Sequence, residues 1–386
     1  MKKVLAIDIG YGSVKVIYGY EDGTIKNQFK FTSIVALIDK DEFIKDKRIL
    51  DYKDKSYYVG EDALNFPHTC QYDIIDFNNL IYFAPLFLYK ALQMIGEIPD
   101  VIVCGLSKAQ LQYSLTFKEA IQKFTVNNEE FSFENVYILP QGAGSKLAID
   151  TYGVDFPNKQ QEFTGLSNYV GVDVGFNTVD IFLVTNGKTS PMYFRGIENE
   201  GVMKIAENVQ KYIAEEFGKT VKLHEAKEIL DEGFYKLRGT KYDLKEVLKV
   251  FTENYLKDLL KLIEDNFSDA LDKSDYVFLS GGGSALLSDS EDKKIRTPKS
   301  NFEYYNAIGF FLYGLNKWFK IYLQFCFKYL YIARLHFKNV VYNEHGHYQS
   351  TYIFHFVLSK CDVCCFYRYH NFHNHNVVCL KEYYAQ

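Results

Sequence analysis

The chain has 386 residues, 47% of them hydrophobic and 24% charged, a balance that belongs to a folded protein with room for two cores and excludes a linker or extended tail. A formal net charge of -5 offers no general attraction to nucleic acid, so direct sequence-specific binding to it is not expected. Lys2 and Lys3 precede an apolar run that reaches Asp8 almost at once, too short for a secretory signal. The expected location is therefore cytoplasmic, with Cys70 and Cys104 as small buried side chains outside any disulfide.

The first predicted elements are two strands within LAIDIGYGSVKVIYGY, residues 5–20, separated by a tight turn at Gly10, Gly12 and Ser13, with Asp8 before it and Lys15 after it. Asp22-Gly23 is a second turn signal of the hairpin kind. A helical pattern covers Asn78 to Gly96, and YILPQGAGSKLA, 137–148, leads into another. NYVGVDVGFNTVDIFLVTNGKT, from Asn168 to Thr189, then repeats the opening at the same offsets. Asp173 stands for Asp8, Gly175 for Gly10, Phe176 for Tyr11, Thr178 for Ser13 and Asp180 for Lys15, and Asn186-Gly187 provides the second turn. Further helical patterns run over Glu198 to Phe217 and Leu244 to Phe267, and an apolar strand, Tyr276 to Leu279, breaks into Ser280-Gly281-Gly282-Gly283. The expected class is α/β, with two duplicated lobes facing one another.

Glycine turns let backbone N–H groups approach an anion, and Ser13 or Thr178 adds a hydroxyl donor, so two such turns facing each other suit a phosphate chain. Bare aspartates would repel phosphate. Asp8 and Asp173 therefore imply a divalent cation, Mg²⁺, held partly through water, with Lys15 as the one positive side chain of the turns. A single copy reads better as a hairpin turn capped by its own aspartate; the second copy at the same spacing turns the balance to the phosphate reading. The glycines after Leu279 suit a flat base and ribose lying against backbone, with a flexible loop as the alternative.

Set together, AIDIGYGSVK, VGVDVGFNTVD and FLSGGGSAL resemble the two phosphate motifs and the adenosine motif of the actin, heat-shock chaperone and sugar kinase superfamily. FTSIVA, YYVGEDAL, CGLS and YNAIGFFLYG bring the likeness closest to the bacterial and archaeal ParM-like actins, in order from about residue 3 to about 316. The resemblance implies two ribonuclease H-like lobes with a nucleotide cleft between them, one over 1–150 completed by a helix at 301–318, the other over 166–300. It implies ATP and Mg²⁺ as cofactors, with the metal at Asp8 and Asp173. It assigns nucleotide contact to Gly10, Tyr11, Gly12, Ser13, Lys15, Gly175, Phe176, Asn177, Thr178, Asp180, Gly281, Gly282 and Gly283. Lys227 and Glu228 in HEAKEIL are adenosine candidates, with an ordinary solvated helix face as the open alternative. Gln141 stands where actins carry glutamine and other relatives an acidic residue. Its amide can orient water for attack on a γ-phosphate, which makes Gln141 and Asp173 the catalytic candidates and implies slow hydrolysis; a hydrogen bonder at the helix start is the other reading.

The activity implied is that of an ATPase that assembles into dynamic filaments and moves plasmid DNA apart, reaching DNA through an adaptor protein on a centromere-like site. A small-molecule kinase and a nucleotide-gated binding protein that never polymerises are the alternatives. A P-loop is excluded because GAGSK lacks the Gly-Lys pair in the required spacing, and no GxGxxG follows the first strand. His68 and His224, the only histidines before the tail, sit in no hydrolase motif. Residues 319–386 differ from the rest, with seven of the nine histidines, five cysteines, one glycine and no proline. An altered or out-of-frame end, a genuine but poorly ordered tail, and a zinc site built from Cys361, Cys364, Cys365, His370, His373, His375 and Cys379 all remain open. A membrane partner is not expected: Lys320, Lys328 and Arg334 interrupt the tail's most aromatic run and exclude a conventional spanning segment, with an interfacial helix as the open alternative.

Overall fold

The computed structural model describes residues 1–39, 46–158, 168–287 and 294–316, all within one compact unit. The expected tail, with its candidate zinc ligands, lies outside the described residues. Two five-stranded sheets carry the fold, and they have the same topology. In the first, Lys3–Ile9, Ser13–Tyr20 and Ile25–Thr32 form an antiparallel meander, and Val101–Leu106 and then Val136–Pro140 add parallel to Lys3–Ile9. In the second, Tyr169–Val174, Thr178–Thr185 and Lys188–Glu198 form the meander, and Tyr276–Ser280 and Ile295–Arg296 add in parallel on the other side. The sequence duplication is thus a duplication of a whole sheet. Asn186 and Gly187, at φ 49° and 73°, form the two-residue turn that their sequence demands.

The central strands are apolar along their length because both faces are covered. In Lys3–Ile9, the side chains of Leu5, Ile7 and Ile9 point into a core shared with helix Phe77–Ile95. Val4 and Ala6, on the opposite face, enter a core shared with Ala148, Ile149, Tyr305 and Phe310. The second sheet repeats this, with Val170, Val172 and Val174 packed against helix Lys245–Asp272, and Tyr169, Phe182 and Phe278 turned into the same middle core as Val4 and Ala6. Helix Gln141–Tyr152 and a helix covering 305–316 therefore lie between the two sheets. Their contact is backbone to backbone: a Cβ added at Gly309 would stand 1.8 Å from the Gly144 carbonyl oxygen, so any side chain there would force the helices apart.

Helix Phe77–Ile95 begins where Asp76 Oδ1 accepts the Asn79 N–H at 2.9 Å, and ends at Gly96 with φ 74°. The helix expected from Glu198 begins only at Met203, because Glu198 still pairs with Thr178 in the sheet. The helix expected to stop at Phe267 leaves helical geometry at that residue (φ -137°) and resumes to Asp272. Two smaller units flank the cleft between the sheets. The first lobe carries a four-stranded sheet of Ile34–Ile38, Leu50–Tyr52, Lys55–Val59 and Gln71–Asp73. The second carries helices Met203–Phe217 and Leu223–Glu232 and the hairpin Phe234–Leu237/Thr240–Asp243.

Candidate functional site

The two duplicated turns have the same internal hydrogen bond: Gly10 N–H to the Ser13 carbonyl at 3.2 Å in the first, Gly175 N–H to the Thr178 carbonyl at 2.9 Å in the second. They meet each other directly, since a Cβ at Gly12 would lie 2.9 Å from Phe176 Cγ. Both open onto one cavity of about 450 Å³. Its walls include Asp8, Gly10, Tyr11, Gly12, Ser13, Lys15 and Gln141 from the first lobe, and Asp173, Gly175, Phe176, Thr178, Lys227, Gly281, Gly282 and Gly283 from the second. A larger hollow of about 970 Å³ lies on the first lobe around Tyr52, Tyr82 and Phe124, away from these groups.

Register explains why the carboxylates face the cavity. Asp8 and Asp173 sit next to the ends of the matching strands Lys3–Ile9 and Tyr169–Val174, paired across the hairpins with Lys15 and Asp180. Asp8 Oδ1 accepts from Gln141 Nε2 at 2.8 Å, and its Oδ2 lies 3.7 Å from Lys15 Nζ. Asp173 Oδ2 accepts from Asn306 Nδ2 at 2.6 Å and its Oδ1 from Ser280 Oγ at 3.4 Å. Asn306 is held in turn by Ser145, whose N–H and Oγ donate to Asn306 Oδ1 at 3.1 and 3.0 Å. Burial, reinforced by the charge of Asp8, pushes the Asp173 carboxyl up to about 6. Two carboxylates in a buried cleft form the kind of site that a divalent cation relieves. Among the described residues no three His, Cys, Asp or Glu side chains cluster as a metal site, so a cation here would complete its shell from water and ligand oxygens, as Mg²⁺ does.

The other cations and acids of the cavity are already paired. Lys30 Nζ lies 2.8 Å from Glu303 Oε1, and Lys227 Nζ lies 2.6 Å from Asp231 Oδ2. Three residues expected at the ligand stand outside the cavity lining. Glu228 is exposed on the helix of Lys227, its carboxyl held above the usual range mainly by partial desolvation. Asn177 is buried with Oδ1 unpartnered. Asp180 points toward the first lobe, where its Oδ1 accepts from Lys108 N–H at 2.7 Å and Ser107 Oγ at 3.1 Å, and burial pushes it up to about 8. It ties lobe to lobe. Gln110 does the same nearby, its Nε2 donating to both Tyr11 and Glu198.

Residues that the sequence reading did not single out also line the cavity, among them Lys30, Val202, Leu230, Phe302, Glu303 and Asn306. Asn306 had a signal: it is a buried amide inside the otherwise apolar run YYNAIGFFLYG, and such a group requires a partner. The others carried none, because an exposed charge or a core aromatic looks the same whether or not a cavity lies beside it.

Residues 6–144 match the family model described as actin like proteins N terminal domain, and residues 171–292 match that of the archaeal actin homologue MreB-like, C-terminal. Between them the two matches contain both hairpins, both aspartates and the glycine run. The chain belongs to the actin-like proteins. Its fold agrees with those of solved relatives. The archaeal actin homolog Ta0583 superposes at TM-score 0.63 and 21% identity over 80% of this chain and 98% of its own. A ParM from Clostridium botulinum, solved as a 15-stranded filament, gives TM-score 0.64 and 20% identity over 81% and 99%. Bacillus thuringiensis ParM with ATP gives TM-score 0.55 and 16% identity over 82% and 99%. No curated protein matches the chain in sequence. Among the described residues no helix is long and apolar enough to cross a membrane.

Proposed function

We propose that this actin-like chain binds ATP with Mg²⁺ in the cleft, assembles into filaments, and hydrolyses the nucleotide slowly enough for hydrolysis to lag behind assembly. The observation that carries this reading is the convergence of both Asp-Gly hairpins on one cavity, with Gln141 hydrogen-bonded to Asp8. Asp8 and Asp173 would hold the Mg²⁺, which supplies positive charge against the phosphate oxygens. Lys15, Ser13 and Thr178 bind phosphate, together with the backbone N–H groups of the two turns. With Nε2 given to Asp8, Gln141 has Oε1 left to accept from a water and orient it toward a terminal phosphate. The carboxylates around it have other roles in this reading: Asp8 and Asp173 hold the metal, and Asp231 and Glu303 are in ion pairs. With the carboxylates so engaged, a small-molecule kinase, which needs one to take the acceptor's proton, is the weaker reading.

The task we assign to the filament is plasmid DNA segregation, with DNA reached through an adaptor protein and without direct reading of sequence by this chain. ParM filaments among the structural relatives support it. Sedimentation with ATP, with ADP and without nucleotide, run beside phosphate release in the absence of any acceptor, tests the biochemical core. Assembly with ATP and acceptor-independent release are expected. Release only on addition of a small-molecule acceptor overturns the reading in favour of a kinase.

A further inference from the structure

His68 and His224 are the two histidines of the described residues, and the cleft chemistry uses neither. Each reaches across to a carboxylate of the opposite lobe. His224, buried at the start of helix Leu223–Glu232, has Nδ1 2.7 Å from Asp73 Oδ1, at the end of strand Gln71–Asp73 in the first lobe. Asp73 Oδ2 also accepts the Leu223 N–H of the same helix at 3.3 Å. In the reverse sense, His68 Nε2 from the first lobe lies 2.9 Å from Glu225 Oε1 of the second. Glu225 Oε2 meanwhile accepts the Lys222 N–H at 2.7 Å and closes the first turn of the helix. Each lobe contributes one imidazole and one carboxylate.

The helix that receives both contacts also forms a wall of the nucleotide cavity through Lys227, Leu230 and Asp231. Lys227 follows His224 by less than one helical turn, so displacement of the helix start carries the wall with it. We infer that the His224–Asp73 and His68–Glu225 pairs form a protonation-dependent clasp that holds this helix against the first lobe and sets how readily the cavity opens. The inference rests on the reading of the cavity as a nucleotide site. A neutral imidazole gives a carboxylate one hydrogen bond. A protonated one adds the attraction of opposite charges to that bond.

Several charged groups face the clasp. Asp73 faces His224 from the first lobe, and Glu225 and Glu228 flank it on its own helix; His68 faces Glu225. Glu232 adds a further carboxylate acting on Glu228. Against these stand Lys222, adjacent in the chain, and Lys227, whose ammonium is engaged by Asp231. Protonation of the imidazoles tightens the clasp, and their deprotonation leaves two hydrogen bonds without the added ion-pair attraction.

The test uses the full chain and a fluorescent ATP analogue, with the dissociation rate measured at about pH 6 and about pH 8. Release from the unaltered protein is expected to be about tenfold slower at the lower pH. That ratio should collapse to within about twofold in the double variant His68→Ala/His224→Ala and in Asp73→Asn, which keeps the shape and the acceptor for Leu223 while losing the charge. The same ratio in all three proteins overturns the clasp. If the analogue binds at neither pH, the nucleotide reading fails, and the clasp is judged separately by deuterium exchange of residues 223–232 in the ligand-free protein. Slower exchange at low pH after correction for the chemical rate, abolished in Asp73→Asn, supports it; equal exchange in both proteins overturns it.

Discussion

The contact between Gly309 and Gly144 gives the sharpest test of how the fold serves the cleft. In Gly309→Ala the new methyl would meet three backbone atoms of Gly144, at 1.8, 2.5 and 2.7 Å. No side chain can rotate away, so helix Gln141–Tyr152 and the helix covering 305–316 must separate by more than an ångström. Overpacking of this kind costs about 1–3 kcal/mol. Separation also stretches both hydrogen bonds from Ser145 to Asn306, at about 1 kcal/mol each. The expected loss is about 3–5 kcal/mol, read as a lowered urea midpoint with an unchanged slope. Asn306 donates to Asp173, so weakened nucleotide affinity should accompany the lost stability. Gly282→Ala is the control: nothing lies within 4 Å of its added Cβ, and its stability should stay within about 0.5 kcal/mol. A Gly309→Ala protein that loses under about 1 kcal/mol would refute the close approach of the two helices.

Other outcomes follow from single groups. Asp180 is held at about 8 in the fold against 3.8 ordinarily, so between these values the unfolded chain has released a proton that the folded chain keeps. Its contribution to stability is full below about pH 4 and is lost as pH rises to about 8. Asp180→Asn should flatten this part of the profile of urea midpoint against pH, and an unchanged slope would contradict the burial assigned to it. Gln141→Ala should slow phosphate release by about ten- to a hundredfold while ATP affinity shifts by less than about threefold; an affinity loss equal to the rate loss would make Gln141 a ligand-binding residue. Chelation of divalent cations should weaken ATP binding to the unaltered protein, and Asp8→Ala should already show the weakened level and respond little to chelator. Nucleotide binding that ignores both treatments would remove the metal from the site.

Much of the local chemistry was legible in the chain itself. The duplicated Asp-Gly-Ser and Asp-Gly-Thr turns, the hairpin signal Asn186-Gly187, and Gly281 with φ 84° are consequences of residues close together in sequence, where backbone sterics leave few conformations. The apolar runs of the central strands likewise announce sheets covered on both faces. Partnerships of buried polar groups were decided only by tertiary packing. Asp180 occupies the position of Lys15 in the repeat, yet its carboxylate serves Ser107 and Lys108 of the other lobe. Asn306 reaches Asp173 from 133 positions away, and His224 meets Asp73 across 151. Periodicity says which side of a strand or helix a residue occupies; it does not say what lies opposite, because that depends on how two sheets and two crossing helices close on one another. The sequence alone determined the two duplicated Asp-Gly turns, and the packed structure decided that they face one cavity and which distant groups hold their aspartates there.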